Sequence, residues 1–464
     1  MSKAYKDHLG RPIVAVTGMG VITSLGQGLD DNWAALTGGV SGIHKITRFP
    51  TDALSTRISG TVDFIEIPAE NAVERSYAMA RETTLEALAQ AGLSGDFNGP
   101  LFLAAPPIEP EWNARFELAD RSPPSSQPGD AYNRFLAAMR QKADPTFHEA
   151  VLFGSISERL ADRFGTRGLP VTLSTACASG ATAIQLGVEA IRQGRTDRAL
   201  TVATDGSVSA EALIRFSLLS ALSTQNEPPE KASKPFTKDR DGFVIAEGAA
   251  TLVLESLEAA VARGARIYGI LKGCGEKADL FHRTRSSPDG GPAIATIRAA
   301  LADAGIDEAG IGYINAHGTS TPENDKMEYL SMSAVFGERL PSIPVSSNKS
   351  MIGHTLTAAG AVEAVFSLQT MLSGTLPPTI NYQNPDPAIV LDVVPNVKRS
   401  QQVTAVLSNS FGFGGQNASL VMTAEPAGVE EKGPLWPAGH LPHKGGERCG
   451  WPLASLQASQ QDEP

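Results

Sequence analysis

One arrangement of residues occurs twice in this chain, and it restricts the fold more than any other feature. VTLSTACASGATAIQLGVEAI begins at Val171, and IPVSSNKSMIGHTLTAAGAVEAVFSL begins at Ile343. Each runs from an apolar stretch, through a turn of small polar residues, into a segment rich in Ala and Gly. Pro170–Leu173 is predicted as a short buried strand, because it is apolar and β-branched. Ala183, Ile184, Leu186, Gly187, Ala190 and Ile191 recur at helical spacing, which predicts a helix over Gly180–Arg192. A second pair of stretches also matches: RDGFVIAEGAATLVLE from Arg240 and NSFGFGGQNASLVM from Asn409. Both run aromatic, glycine turn, apolar strand. Two similar halves predict a duplicated α/β fold about a pseudo-twofold axis, with the Ala/Gly-rich helices closely packed in a central layer. The halves are expected at residues 1–265 and 266–424. Residues 425–464 have no sustained period and read as a disordered tail.

Cys177 occupies the turn of the first repeat. A strand that turns abruptly into a helix leaves the turn residue at the helix N-terminus. Free N–H groups and the positive end of the dipole there favour a thiolate. Ala176, Ala178, Ser179 and Gly180 are small enough for a tight turn. This is the layout of a nucleophile elbow with sulfur in place of oxygen. An inert buried cysteine is the other reading of the same residues, and the turn alone leaves both open.

Composition narrows the class. The net charge of -11 over 464 residues argues against a nucleic-acid surface. Three widely spaced cysteines give neither a disulfide framework nor a metal-site spacing, which favours a reducing compartment and so the cytoplasm. Met1–Pro12 is polar and charged, unlike a signal peptide, and no apolar run is long enough to span a bilayer. Ile13–Thr17 is predicted as a strand followed by a turn at Gly18 and Gly20. The glycine spacing there does not fit dinucleotide binding. Helices are expected at Leu29–Thr37, Asn71–Gly92, Phe147–Phe164, Ala210–Leu219 and Gly291–Ala304, and strands at Pro100–Ala105 and Arg198–Ala203. The Pro-, Ser- and charge-rich stretch from Pro106 to Phe135 carries no clear period.

STACASG, NAHGTSTPENDKMEYL, SSNKSMIGHTLTAAGAVEA and NSFGFGGQN, in this order, resemble the β-ketoacyl-acyl-carrier-protein synthases, the thiolase-fold condensing enzymes, most closely the synthase I/II type. The resemblance covers about Ile13 to Met422. It implies a thiolase-like layered αβαβα core and a decarboxylative condensation of an acyl thioester with malonyl carrier protein. It implies that Cys177 takes the acyl chain, and that His317 and His354 bind the malonyl carbonyl and promote decarboxylation. The N–H groups of Cys177 and Phe413 would form the oxyanion hole, with Phe413 as the gating aromatic. Lys349 and Glu328 would form a buried pair supporting the histidine loops; a purely structural salt bridge is the other reading of that pair. Thr319 and Thr321 would bond the pantetheine arm. No cofactor or metal is implied, since the phosphopantetheine arrives on the carrier. An acyl carrier partner and a homodimer are implied.

The chain departs from that family in places. Where a Gly/Ser-rich segment is usual after the strand at Leu101, it has AAPPIEPEW, which adds Pro106 and Pro107 and bulk at Ile108 and Trp112. ATDGSVS stands near Asp205 in place of a glycine-rich motif, and Gln416 stands where a threonine is usual. The basic carrier-docking helix is poorly reproduced: Arg75 and Arg81 are mixed with Glu70, Glu74 and Glu82. Because the carrier is acidic, docking needs a local basic patch, with Arg140 and Lys142 as candidates. Three other readings compete with the active fatty-acid-type synthase. A silent chain-length partner would usually lack the cysteine. A thiolase would want a second reactive cysteine in the C-terminal core, where Cys274 falls in a predicted strand and Cys449 in the tail. A polyketide-type ketosynthase would share every motif.

Overall fold

The computed structural model describes residues 5–67, 71–107, 109–121, 129–141 and 151–424. Its principal strands are β1 Val14–Thr23, β2 Leu101–Ala104, β3 Val171–Leu173, β4 Arg198–Asp205, β5 Gly248–Ser256, β6 Gly269–Ala278, β7 Tyr313–Asn315, β8 Pro344–Ser346, β9 Asp392–Val393, β10 Ala405–Phe411 and β11 Gln416–Thr423. Its principal helices are α1 Leu29–Thr37, α2 Ala72–Gln90, α3 Trp112–Asp120, α4 Asp130–Arg140, α5 Ser155–Phe164, α6 Ser179–Arg192, α7 Ala210–Leu218, α8 Leu257–Ala262, α9 Gly291–Ala304, α10 Pro322–Phe336 and α11 Ala359–Ser373.

The strands join in the order β9-β8-β7-β10-β11-β6-β1-β5-β4-β2-β3. The duplication is visible in that order. Outward from the centre, β1, β5, β4, β2 and β3 pair antiparallel, antiparallel, parallel, parallel. β6, β11, β10, β7 and β8 repeat the same sequence of pairings, with β9 added at the edge. The halves meet where β1 and β6 pair antiparallel at Ala15 with Ile270 and Val16 with Gly269. The expected division at 265/266 falls in the connection between α8 and β6. The halves are not separate bodies: their described residues form one compact unit.

Helices α6 and α11 form the central layer. α11 packs on β1, β4 and β5 of one half and on β10 and β11 of the other. It is buried on nearly every face, which explains why AGAVEAVFSLQTMLS has no polar side. The two helices nearly touch. A Cβ on Gly180 would lie 2.6 Å from the Ala361 nitrogen, and one on Gly360 would lie 2.6 Å from the Ala181 nitrogen. Outside, α2 covers β1, β4 and β5, and α9 covers β6 and β11. Helix, sheet, helix, sheet, helix is the layered core expected.

Several expectations are corrected. Gly18 and Gly20 lie inside β1, not in a turn after it. Glycine is needed there because α2 lies against the strand: a Cβ would sit 2.1 Å from the Ala87 carbonyl oxygen and 2.0 Å from that of Thr83, respectively. β3 is the edge of the sheet and not a buried strand, with Val171 42% exposed. The helix expected over Phe147–Phe164 runs over Ser155–Phe164, and residues 147–150 lie outside the described ones. The stretch after Pro106 carries two helices, α3 and α4. Glu70, Lys142 and residues 425–464, the expected tail with Cys449, lie outside the described residues.

Candidate active site

Cys177 sits on the sharp turn between β3 and α6. Ala176 before it has a φ of 49°, in the left-handed region that a residue with a Cβ seldom occupies. Ser179 closes the turn. Its Oγ accepts from the Thr175 N–H at 2.8 Å and donates to the Ala176 carbonyl at 2.6 Å. The thiol is buried, and burial pushes it up to about 11. The Phe413 N–H, the Lys349 charge and the cysteine's own N–H favour the thiolate but do not outweigh burial. The helix N-terminus thus favours the thiolate as expected, and burial opposes it. Thiolate rises about tenfold per pH unit below its pKa. Iodoacetamide alkylation of Cys177, followed by intact mass, is thus expected to accelerate throughout pH 7–9. A plateau below pH 8 would contradict the burial argument.

His317 follows β7, and His354 follows β8 and a single helical turn, Lys349–Ile352. β7 and β8 are parallel neighbours in the C-terminal half, so their ends bring the two histidines together, and β8 is the counterpart of β3, which precedes Cys177 in the other half. One ring nitrogen of each and the Cys177 Sγ lie within 4.8 Å of one another. The imidazoles meet edge to face, with centroids 5.2 Å apart. Both are almost fully buried, and burial pulls both well below the ordinary histidine value, with the Lys349 charge adding to it. Both rings are therefore neutral. The Lys349 ammonium, which can only donate, lies 3.3 Å from His317 Nδ1. The Leu356 N–H donates to His354 Nδ1 at 3.3 Å. With both Nδ1 atoms accepting, the proton of each ring sits on Nε2. Sulfur and two imidazoles are also zinc-type ligands, but the ammonium beside His317 opposes a cation there.

The carboxylates behind the histidines divide their work differently from the expectation. Lys349 Nζ pairs with Glu363 Oε1, not with Glu328, and also donates to the His317 carbonyl at 2.7 Å. Glu328 instead accepts from the His317 and Gly318 N–H groups, each at 2.8 Å, and from Asn409 Nδ2 at 3.3 Å. It fixes the loop by its backbone. Burial raises Glu328 to about 7 and pushes Glu363 up against the pull of Lys349.

Two clefts meet at the sulfur. One, of ≈ 650 Å³, is lined by Cys177, both histidines, Thr319 and Thr321, with the exposed Arg283 and Arg285 also on its wall. Thr319 and Thr321 are bonded to each other through their hydroxyls at 2.9 Å. The other, of ≈ 1190 Å³, is lined by Ala176, Pro106, Pro107, Pro110 and Glu111 on its far wall. Cys177, Phe216, Leu356 and Phe413 belong to both. Phe413 thus stands at the partition. Gly412 next to it lies against the elbow, where a Cβ would sit 3.2 Å from the Cys177 nitrogen.

A family model described as "Beta-ketoacyl synthase, N-terminal domain" matches residues 12–100 and 124–260, and one described as "Beta-ketoacyl synthase, C-terminal domain" matches residues 268–383. The chain belongs to the beta-ketoacyl synthase family. The 3-oxoacyl-[acyl-carrier-protein] synthase 2 of Coxiella burnetii is 36% identical over 419 residues, covering 88% of this chain and 98% of that protein. Among solved structures, a type II PKS acyl-carrier protein in complex with its ketosynthase bound to the hexaketide matches at TM-score 0.80 and 32% identity, covering 89% of this chain and 100% of that one. A beta-ketoacyl synthase from Burkholderia phymatum matches at TM-score 0.77 and 32% identity, covering 89% of this chain and 100% of that one.

Within this synthase, Cys177, His317, His354, Lys349, Glu328, Phe413, Thr319 and Thr321 gather at one site. The docking candidates do not. Arg75 is 2% exposed and bound to Glu111 and Glu247, which corrects any role for it on a surface. Arg140 ends α4, exposed, on neither cleft. Trp112 is 42% exposed and is not on the wall of the second cleft, and Ile108 lies outside the described residues. Cys274 lies in β6, with its N–H on Asp303, apart from the cluster at Cys177. Sequence reasoning missed Glu363, Asn409, Leu356 and the arginine pair. Glu363 had a signal: a carboxylate in an otherwise apolar helix must find a buried partner.

Proposed function

We propose that this synthase carries out the decarboxylative condensation of an acyl thioester with malonyl-acyl-carrier-protein, yielding 3-oxoacyl-acyl-carrier-protein. The observation that carries the reading is the buried thiol facing two neutral imidazoles at the junction of two clefts. The sulfur attacks the acyl thioester carbonyl, the carrier thiol leaves, and the acyl group stays on Cys177. The N–H groups of Cys177 and Phe413 serve the tetrahedral oxyanion. Malonyl carrier then enters by the histidine-lined cleft, with Thr319 and Thr321 along its pantetheine arm. The Nε2–H groups of His317 and His354 bond the thioester oxygen as carbon dioxide leaves. The enolate carbon attacks the acyl carbonyl, and the Cys177 thiolate departs. An intact nucleophile favours this over a silent partner. The phosphopantetheine comes with the carrier, so no resident cofactor is required. A homodimer belongs to the same reading, supported by the half-exposed edge strand β3 beside the elbow. Among the described residues no helix is long and apolar enough to cross a membrane, and a cytoplasmic location belongs to the reading as well. Mass spectrometry of extension products from a ladder of acyl carriers tests it; no 3-oxo product with any acyl length would refute it.

Two further expectations arise here. The first concerns Ala104 to Phe135. The match to the N-terminal family model leaves a gap between residues 100 and 124, and Pro106, Pro107, Pro110 and Glu111 from this stretch wall the second cleft. Each buried methylene contributes about 0.8 kcal/mol, so a wall moved by a few carbons changes preference by powers of ten. Replacing residues 104–135 with the segment of an ordinary synthase is expected to change the acyl-length profile. An unchanged profile in a folded, dimeric chimera removes this stretch as the determinant. The second concerns the carrier. Neither the Arg283 nor the Arg285 guanidinium has a partner among the described residues, and both border the histidine-side cleft of an acidic chain. The double Ala variant is expected to lose about tenfold in kcat/KM for malonyl carrier at low salt, as rim charges do, and less at high salt. Equal loss at both salts would argue against an electrostatic role.

A further inference from the structure

The loop after His354 is held in a conformation that its own sequence does not favour. Leu356 has a φ of 46°, in the left-handed region. From there its N–H reaches His354 Nδ1 and its side chain joins the partition between the clefts. Something must hold that backbone in place. The next residue, Thr357, is tied to the end of β4. Its N–H lies 3.2 Å from Asp205 Oδ2, and its hydroxyl lies 2.8 Å from that oxygen and 2.8 Å from the Thr204 carbonyl. The other oxygen, Asp205 Oδ1, accepts from the Ser207 N–H at 3.1 Å and from the Ser207 hydroxyl.

Counting protons decides the state of this cluster. The Thr357 hydroxyl has one proton and faces two acceptors. If Asp205 is a carboxylate, one of those contacts is not a hydrogen bond. If Oδ2 carries a proton, it donates to Thr357 Oγ1, and the Thr357 proton goes to the Thr204 carbonyl. Both contacts are then made. Asp205 is 1% exposed and has no cationic partner among the described residues, and burial pushes its carboxyl up. A neutral acid also places no negative charge near the sulfur when Cys177 becomes a thiolate.

We propose that Asp205 is a positioning residue, held as a neutral carboxylic acid, that with Thr357 clamps Leu356 in the backbone conformation orienting His354. The inference rests on the condensing reading of the site. It ties the unusual ATDGSVS stretch to the histidine in the opposite half of the fold. Asp205→Asn is the decisive variant. Its Nδ2 can donate to Thr357 Oγ1 as the acid does, and its carbonyl can accept from Ser207; only the longer contact from the Thr357 N–H, at 3.2 Å, is given up.

The test uses the full chain and the variants Asp205→Asn, Asp205→Ala and Thr357→Val. Acylation of Cys177 is read by intact mass and carbon dioxide release from malonyl carrier by steady-state kinetics, with thermal melts as a check of folding. Asp205→Ala and Thr357→Val are expected to lose on the order of tenfold to 10²-fold in kcat for decarboxylation, as misplaced catalytic groups do. KM and acylation should stay close to wild type, and Asp205→Asn should retain most of the turnover. Full decarboxylation in a folded Asp205→Ala or Thr357→Val variant overturns the clamp. Asp205→Asn as impaired as Asp205→Ala, with an unchanged melt, overturns the neutral acid. If Asp205→Ala does not fold, Thr357→Val and Asp205→Asn carry the test. Wild-type turnover in the same assay separately decides the condensing reading.

Discussion

Cys177→Ala is expected to abolish condensation and to leave some release of carbon dioxide from malonyl carrier. The two halves of the result have different origins. Condensation needs a sulfur to hold the acyl group, and nothing else at the junction of the clefts can replace it. Among the described residues, Cys274 lies elsewhere, in β6, with burial pushing its thiol up to about 12. Decarboxylation needs only donors at the developing enolate oxygen, and removing the sulfur leaves His317, His354 and the Glu328 hydrogen bonds to the His317 loop untouched. The loss in product formation is then limited by the assay background, well beyond the 10²–10³-fold of a single lost donor. Intact mass decides the assignment. An acyl adduct on wild type that is absent from Cys177→Ala supports it. The same adduct on the variant would move the nucleophile to another residue.

The duplication was legible in sequence because it is written in period and composition. An apolar run, a small-residue turn and an Ala/Gly-rich helix occur twice, and the sheet repeats the same strand order twice. Cys177 and His354 were legible for the same reason, since they follow β3 and β8, the equivalent strands of the two halves, while His317 follows β7, the neighbour of β8. What sequence did not reveal depends on which surfaces face each other. Gly18 and Gly20 look like a turn because glycine usually marks one; here they mark where α2 lies on β1. Pro170–Leu173 looks buried because it is apolar, but apolarity does not distinguish the sheet's centre from its edge. Lys349 could be matched to a carboxylate by family pattern alone, yet Glu328 and Glu363 are both buried at the site. Only geometry shows that one binds the ammonium and the other the backbone. The burial that opposes the thiolate was hidden for a related reason: a helix N-terminus is local and visible in sequence, whereas burial is tertiary.

His317→Ala and His354→Ala are each expected to acylate Cys177 normally and to lose at least two powers of ten in decarboxylation, the scale of a lost oxyanion donor. The protonation states make the expectation specific. Burial, first, and the Lys349 charge, second, pull both imidazoles well below the ordinary value of 6.5. They therefore work as neutral N–H donors and not as cationic acids. Decarboxylation should then show no loss of rate on raising the pH through 6.5, as a required imidazolium would. The same shift bears on stability. The unfolded chain takes up protons on these rings below pH 6.5, while the folded chain does not. Stability is unaffected by them above that pH and falls as the pH drops below it. His→Gln variants, which keep an N–H donor without a titrating ring, should recover part of the rate lost in the Ala variants and flatten that acid-side loss of stability. A histidine whose Ala variant turns over malonyl carrier at near wild-type rate would be removed from the chemistry. It would then be only a packing group between Phe243 and Phe411, the rings that flank the pair at centroid distances of 5.3 Å from His354 and 6.0 Å from His317.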